Sequence, residues 1–251
     1  MNKNTIANAD ASPRKKSALR TLGRAALGFV ALIAFAALAL SAKPLFSESL
    51  DLKKYIVAKA DAYQALPVSG PNFKAASRFA HGLGRYYLRG RTAAAIVAAY
   101  AELARTHPDY HYVYGEMGWK GGGRFRPHRT HRQGLSADFM TPMLKTGRDG
   151  KAVPARPFYN ALNLWGYRIR LDGQGRYKNY QLDAKAMIAH LAALKKTAPR
   201  FGLRVERVIF DPPLLKLLRA DPSFAQLRGL AFMKNQAWFP HDGHYHVDFA
   251  R

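Results

Sequence analysis

The chain has 251 residues, 48% of them hydrophobic, which is enough to bury the core of one ordinary domain plus an appendage and excludes a disordered polymer. Forty Lys and Arg against sixteen Asp and Glu give a formal charge of +24, so the surface attracts something anionic: nucleic acid, lipid headgroups or a carboxylate-rich polymer. The absence of cysteine excludes disulfides, thiolate metal sites, cysteine nucleophiles and lipid-modified cysteine anchors, so any metal is held by nitrogen and oxygen.

Residues 1–24 are a basic leader carrying Lys3, Arg14, Lys15, Lys16, Arg20 and Arg24, and residues 25–42, "AALGFVALIAFAALALSA", hold no charge. A helix of that length rises about 27 Å, close to the roughly 30 Å of a bilayer's hydrocarbon core. The segment is expected to be a signal anchor or a signal peptide. Small residues at Ala37/Ala39 or Ala39/Ser41 suit cleavage, and retention would tether the chain to the inner membrane. In both cases the leader stays cytoplasmic and the rest is exported, so the expected location is the periplasm. Residues 1–42 contain six basic residues and one acid, Asp10, which leaves +19 of the +24 on the exported part. Nucleic acid is scarce outside the cytoplasmic membrane and no nucleic-acid module is recognisable, so no nucleic-acid partner is expected.

Residues 43–75 read as a connector, with turn signals at Pro67, Gly70 and Pro71. The spacing of apolar residues in "RTAAAIVAAYAELARTHPD" predicts a helix that stops at Pro108, and "YHYVYGEMG" has the aromatic and β-branched content of a strand. "GWKGGGRFRPHR", from Gly118 to Arg129, is too rich in glycine for regular structure and predicts a loop whose backbone comes close to something. "GLSADFM" predicts a strand, and 145–176 is turn-rich. "DAKAMIAHLAALKKTAP" predicts an amphipathic helix ending at Pro199, "RVERVIF" a strand, "PLLKLLRA" a short helix opened by Pro213, and "HYHVDF" a closing strand. Helices and strands mix without a βαβ rhythm. The fold class is therefore α+β, with a small antiparallel sheet and flanking helices forming a single domain over 76–251.

On a strand, residues i and i+2 share a face, so His244 and His246 in "GHYHVDF" point to one side. Upstream, "PHRTHRQGLSADF" offers His128, His131 and Asp138, with His131 in a loop and Asp138 in a strand. Two histidines and one aspartate satisfy the count of a catalytic zinc site, which keeps three protein ligands and one open position. His190 reads as a packed residue of its helix, His107, His111 and Tyr110 as edge packing, and Asp248 as a strand-end charge or a carboxylate orienting a ligand imidazole. Trp119 and Trp238 either line a groove or belong to the core.

The stretch "GEMGWKGGGRFRPHRTHRQGLSADF", followed by "VERVIFDPP" and "AWFPHDGHYHVDF", resembles the penicillin-insensitive murein endopeptidases, part of the wider lysostaphin-type, D-alanyl-D-alanine peptidase and hedgehog-like group of zinc folds. The resemblance covers residues 110–251 and is weak over 43–105. It implies Zn²⁺ held by His131, Asp138 and His246, with His128 as a further histidine that contacts metal, His244 as the catalytic histidine and His241 as a second active-site histidine. It also implies hydrolysis of D-alanyl cross-links in peptidoglycan by a zinc metallopeptidase. Bound zinc acidifies water toward neutral pH and polarises a carbonyl, and an imidazole beside the metal is suited to move the proton. No serine nucleophile is needed, so β-lactams have no target. Arg124 and Arg126 either hold a substrate carboxylate bidentately or are solvated. Two alternatives stay open: a non-catalytic, zinc-stabilised cell-wall binding domain, which would not need His241 and His244, and a D-Ala-D-Ala carboxypeptidase.

Overall fold

The computed structural model describes residues 61–149, 152–155, 170–235 and 237–251. The leader, the apolar run 25–42 and most of the connector lie outside the described residues, and among the described residues no helix is long and apolar enough to cross a membrane.

The strands of the central sheet are short, and their apolar faces make the core. In chain order the elements are β1 (Tyr63–Ala65), β2 (Phe73–Ala75), α1 (Arg78–Gly82), β3 (Tyr87–Arg89), α2 (Gly90–Thr106), β4 (Tyr112–Tyr114), β5 (Ser136–Met140), β6 (Met143–Thr146) and β7 (Ala152–Ala155). There follow β8 (Arg176–Tyr177), β9 (Tyr180–Leu182), α3 (Ala184–Thr197), β10 (Arg204–Ile209), α4 (Pro212–Ala220) and β11 (His244–Ala250), with 3₁₀ turns at Ala198–Phe201 and Pro222–Leu227. The five-stranded sheet has the order β10-β11-β5-β4-β2. Its pairs are antiparallel except β2 with β4, which run parallel, so the antiparallel expectation holds for all but one edge.

Residues 61–75, read from the sequence as the end of a connector, supply two strands, one of them in this sheet. Each is three residues long, too short for alternation to register beside the turn signals of Pro67, Gly70 and Pro71. The stretch 145–176, read as turn-rich, similarly lies within the span of the four-stranded sheet β7-β6-β9-β8, which runs from Met143 to Leu182.

Two alanine-rich helices cover one face of the central sheet. Small residues let α2 and α3 approach closely, and the Thr197 hydroxyl donates to the Ala95 carbonyl at 2.9 Å across their contact. Asp183 caps α3 by accepting from the Ala186 amide at 2.9 Å. The α-helix stops at Thr197, as expected of a helix ending near Pro199, and Pro199 occupies the first turn of a following 3₁₀ segment, where its missing N–H costs nothing, before Gly202 with φ +68°. Pro212 rather than Pro213 opens α4. Beneath the helices lies an aromatic core of Tyr86, Tyr100, Tyr114, Phe139 and Tyr245, and His190 is buried among these rings, as expected of a packed residue.

Strand alternation separates this core from the chemistry. On β11 Tyr245, Val247 and Phe249 face the core, which leaves His244, His246 and Asp248 on the other face. On β5 Ala137 and Phe139 face the core, leaving Ser136 and Asp138 opposite. The register pairs His246 with Asp138 and Asp248 with Ser136.

Candidate metal centre

His131 reaches this polar face from a loop held by close backbone packing. A Cβ on Gly118 would lie 2.8 Å from the His131 carbonyl oxygen, and one on Gly122 would lie 2.8 Å from the Arg132 carbonyl oxygen. Gly122 also has φ +72°, which an L side chain rarely adopts. The glycine-rich loop comes close to the segment carrying His131, and the Gly123 amide donates to the Arg132 carbonyl at 2.8 Å.

Three atoms that could serve as metal ligands converge. His131 Nε2 is 3.0 Å from His246 Nδ1 and 3.2 Å from Asp138 Oδ1, and His246 Nδ1 is 2.8 Å from Asp138 Oδ1. All three residues are buried. Ligands about 2.1 Å from a tetrahedral ion are separated by roughly 3.4 Å, so the triangle is of the right size, slightly contracted.

The tautomers point the same way. His131 Nδ1 donates to the Met117 carbonyl at 2.6 Å, which leaves the Nε2 lone pair facing the other two atoms. His246 Nε2 donates to Asp248 Oδ1 at 2.7 Å, which turns Nδ1 toward Asp138 and His131. With His246 Nδ1 deprotonated, two nitrogen lone pairs and a carboxylate oxygen face one point and could hold a cation. Without an ion a proton fills this place: burial alone would lower the His246 pKa, but the hydrogen bonds to Asp138 and Asp248 outweigh burial and push it up to about 9. Asp138 is held well below the usual carboxylate range, burial being overcome by the histidines around it.

His128 stands at the outer edge of this group. Its Nε2 is 2.8 Å from Glu116 Oε2, while its Nδ1 faces the second oxygen of Asp138 at 3.6 Å. His128, His131 and Asp138 together can hold a metal ion, with ligand atoms within 4.8 Å of one another. The tighter set is His131, Asp138 and His246, because the Glu116 hydrogen bond draws His128 outward. Arg85 Nε donates to the other oxygen of Glu116, and these bonds keep the buried carboxylate ionised although burial opposes it. Glu116 carries no sequence pattern beyond its place in "GEMG" and was not anticipated as part of the site.

His244 is buried on the same face of β11 as His246. Burial pushes its pKa well below the ordinary value, against the pull of Asp138, so it is neutral at physiological pH. The His241 ring is 4.5 Å from that of His244, centroid to centroid, and 6.3 Å from that of His246. His241 Nδ1 donates to the Phe239 carbonyl at 2.6 Å, which leaves Nε2 as its lone-pair nitrogen. The loop bearing His241 is fixed by Asp242, whose carboxylate accepts from Arg170 Nε at 2.9 Å and the Leu171 amide at 2.8 Å, while Thr141 donates to its carbonyl at 2.7 Å.

At the rim, Arg124 and Arg126 are exposed. Trp119 is half-buried, edge-on to Phe125, with the Arg85 guanidinium over its ring. Trp238 is 56% exposed, with Arg129 stacked above it at 5.5 Å. One tryptophan therefore supports the loop and the other faces solvent. Comparison with known proteins finds no family model that matches the chain and no curated protein that matches it.

Proposed function

We propose that the protein is a zinc-dependent peptidase that hydrolyses D-alanyl cross-links in peptidoglycan, acting in the periplasm and tethered to the inner membrane if residues 25–42 are retained. The observation that carries this reading is the convergence of His131 Nε2, Asp138 Oδ1 and His246 Nδ1 beside two further histidines, His244 and His241. Zinc in that position supplies Lewis acidity, acidifying water and polarising the carbonyl to be attacked. A two-histidine, one-carboxylate set suits this borderline ion.

The chain's own groups do the rest. His244, neutral and on the same strand face as a ligand, accepts the proton of the attacking water and returns it to the leaving amine. His241 offers a ring nitrogen for the oxyanion of the tetrahedral intermediate. Asp242, anchored from both sides, keeps His241 in reach. Lys120, Arg124, Arg126, Arg129 and Arg132 lie in the loop next to the ligands, with no acidic residue between Met117 and Leu135, which favours a substrate bearing free carboxylates.

The test is digestion of purified cross-linked peptidoglycan by the full chain, with zinc or with chelator, reading products by mass. Zinc-dependent conversion of dimeric to monomeric muropeptides, indifferent to penicillin, is expected. Loss of terminal D-alanine alone would make it a carboxypeptidase, and zinc binding with no product would leave a cell-wall binding domain.

A further inference from the structure

We infer that Asp248 is a positioning residue for the metal centre, brought to that task by a bulge in β10 that sets Arg207 against it. The inference rests on the metal-centre reading above and extends it to three residues, Asp248, Ser136 and Arg207, on the Nε2 side of the His246 ring.

The register makes the case. Val205 pairs with Phe249, so an uninterrupted antiparallel ladder would place Glu206 opposite Asp248, carboxylate against carboxylate. Instead the register shifts between Val205 and Arg207, and Arg207 becomes the partner of Asp248. A bulge of this kind re-aims a side chain by setting one residue aside, here Glu206, whose side chain is 55% exposed. Arg207 then grips Asp248 Oδ2 with Nε at 3.0 Å and Nη2 at 2.5 Å.

The other carboxylate oxygen is used separately. Asp248 Oδ1 accepts from the Ser136 hydroxyl at 2.7 Å and from His246 Nε2 at 2.7 Å. Three adjacent strands, β5, β11 and β10, therefore fix one carboxylate, and the carboxylate fixes the ring. Because Arg207 takes Oδ2, it anchors Asp248 without competing for the oxygen that holds the imidazole. The ionised carboxylate holds the proton on Nε2, presents Nδ1 to the ion and raises its basicity as a ligand. Thr130 Oγ1, 3.1 Å from the same Nε2, braces the ring from the loop side.

The experiment measures zinc affinity of the full chain by competition with a chelating dye, together with the visible spectrum of the cobalt-substituted protein. Asp248→Ala is expected to weaken zinc binding by about 10- to 100-fold. Asp248→Asn, whose amide oxygen still accepts from Nε2 but whose NH2 replaces the oxygen that Arg207 grips, should lose less and should shift the cobalt bands. Arg207→Gln, on the outer strand, should fall between wild type and Asp248→Ala. Dissociation constants within twofold of wild type and unmoved cobalt bands would overturn the inference. Should Asp248→Ala not fold, Asp248→Asn and Arg207→Gln decide by the same criterion. Preserved ranking without peptidoglycan cleavage would remove the functional reading and leave this inference standing, whereas cleavage with no ranking would remove the inference alone.

Discussion

Replacing Gly118 by alanine tests whether the glycine-rich loop exists to seat His131. The added Cβ would meet the His131 carbonyl oxygen at 2.8 Å and the Tyr87 carbonyl oxygen at 3.3 Å. Both are backbone atoms, so no side chain can swing aside. Ordinary contact begins near 3.4 Å, so the His131 segment must retreat by roughly 0.6 Å, a large fraction of the tolerance of a metal ligand. Overpacking of this kind costs about 1–3 kcal/mol, or about 2–4 °C in Tm per kcal/mol for a domain of this size. The control is Gly121→Ala, three residues on, where nothing lies within 4 Å and φ is not positive. We expect the metal-free Gly118→Ala protein to melt about 3–10 °C lower, with weakened zinc binding, while Gly121→Ala changes stability by less than about 0.5 kcal/mol. Equal melting temperatures and equal zinc affinities for the two variants would refute the reasoning.

Three further outcomes are expected. His190 is buried with its pKa lowered by burial from 6.5 to about 3, so its neutral form stabilises the fold fully above pH 6.5 and this contribution is lost as pH falls from 6.5 toward 3. The slope is about 1.4 kcal/mol per pH unit, so in urea titrations of the metal-free protein the wild type should lose about 2 kcal/mol more than His190→Gln between pH 6.5 and 5. Zinc at a hundredfold excess over its dissociation constant should raise stability by about 2.7 kcal/mol, read as a higher Tm that chelator reverses. Glu116→Gln should leave Asp138, His131 and His246 able to bind zinc but remove one of the two carboxylate charges beside His128, visible as a changed His128 signal in nitrogen-detected NMR.

Much of the candidate metal centre is legible in the sequence because alternation on a strand is a strict rule. "HYHVDF" places His244, His246 and Asp248 on one face and Tyr245, Val247 and Phe249 on the other, and the structure adds the register that sets Asp138 across from His246. From sequence Asp248 is either a strand-end charge or a carboxylate orienting a ligand imidazole, because its partner, Arg207, lies 41 residues away and reaches it only through a bulge, which leaves no local pattern. Glu116 is illegible for a similar reason: its meaning comes from Arg85 and His128, brought together by the loop. The helices α2 and α3 are long and periodic, so their existence follows from spacing, and Pro199 marks the end of α3 to within two residues while a 3₁₀ turn that tolerates proline at its start follows. Strands of two to four residues, such as β6 to β9, are too short for alternation to rise above turn signals.

The central claim is that one set of histidines holds a metal while a neighbouring histidine moves protons, and the two roles separate in a single experiment. Wild type, His246→Ala and His244→Ala would be purified as full chains, assayed for bound zinc and incubated with cross-linked peptidoglycan in the same samples. The account predicts one zinc and monomeric muropeptides for wild type, neither for His246→Ala, and zinc retained with turnover reduced by about 10²- to 10⁴-fold for His244→Ala. Full cleavage by His244→Ala, or zinc retained by His246→Ala at wild-type affinity, would contradict it.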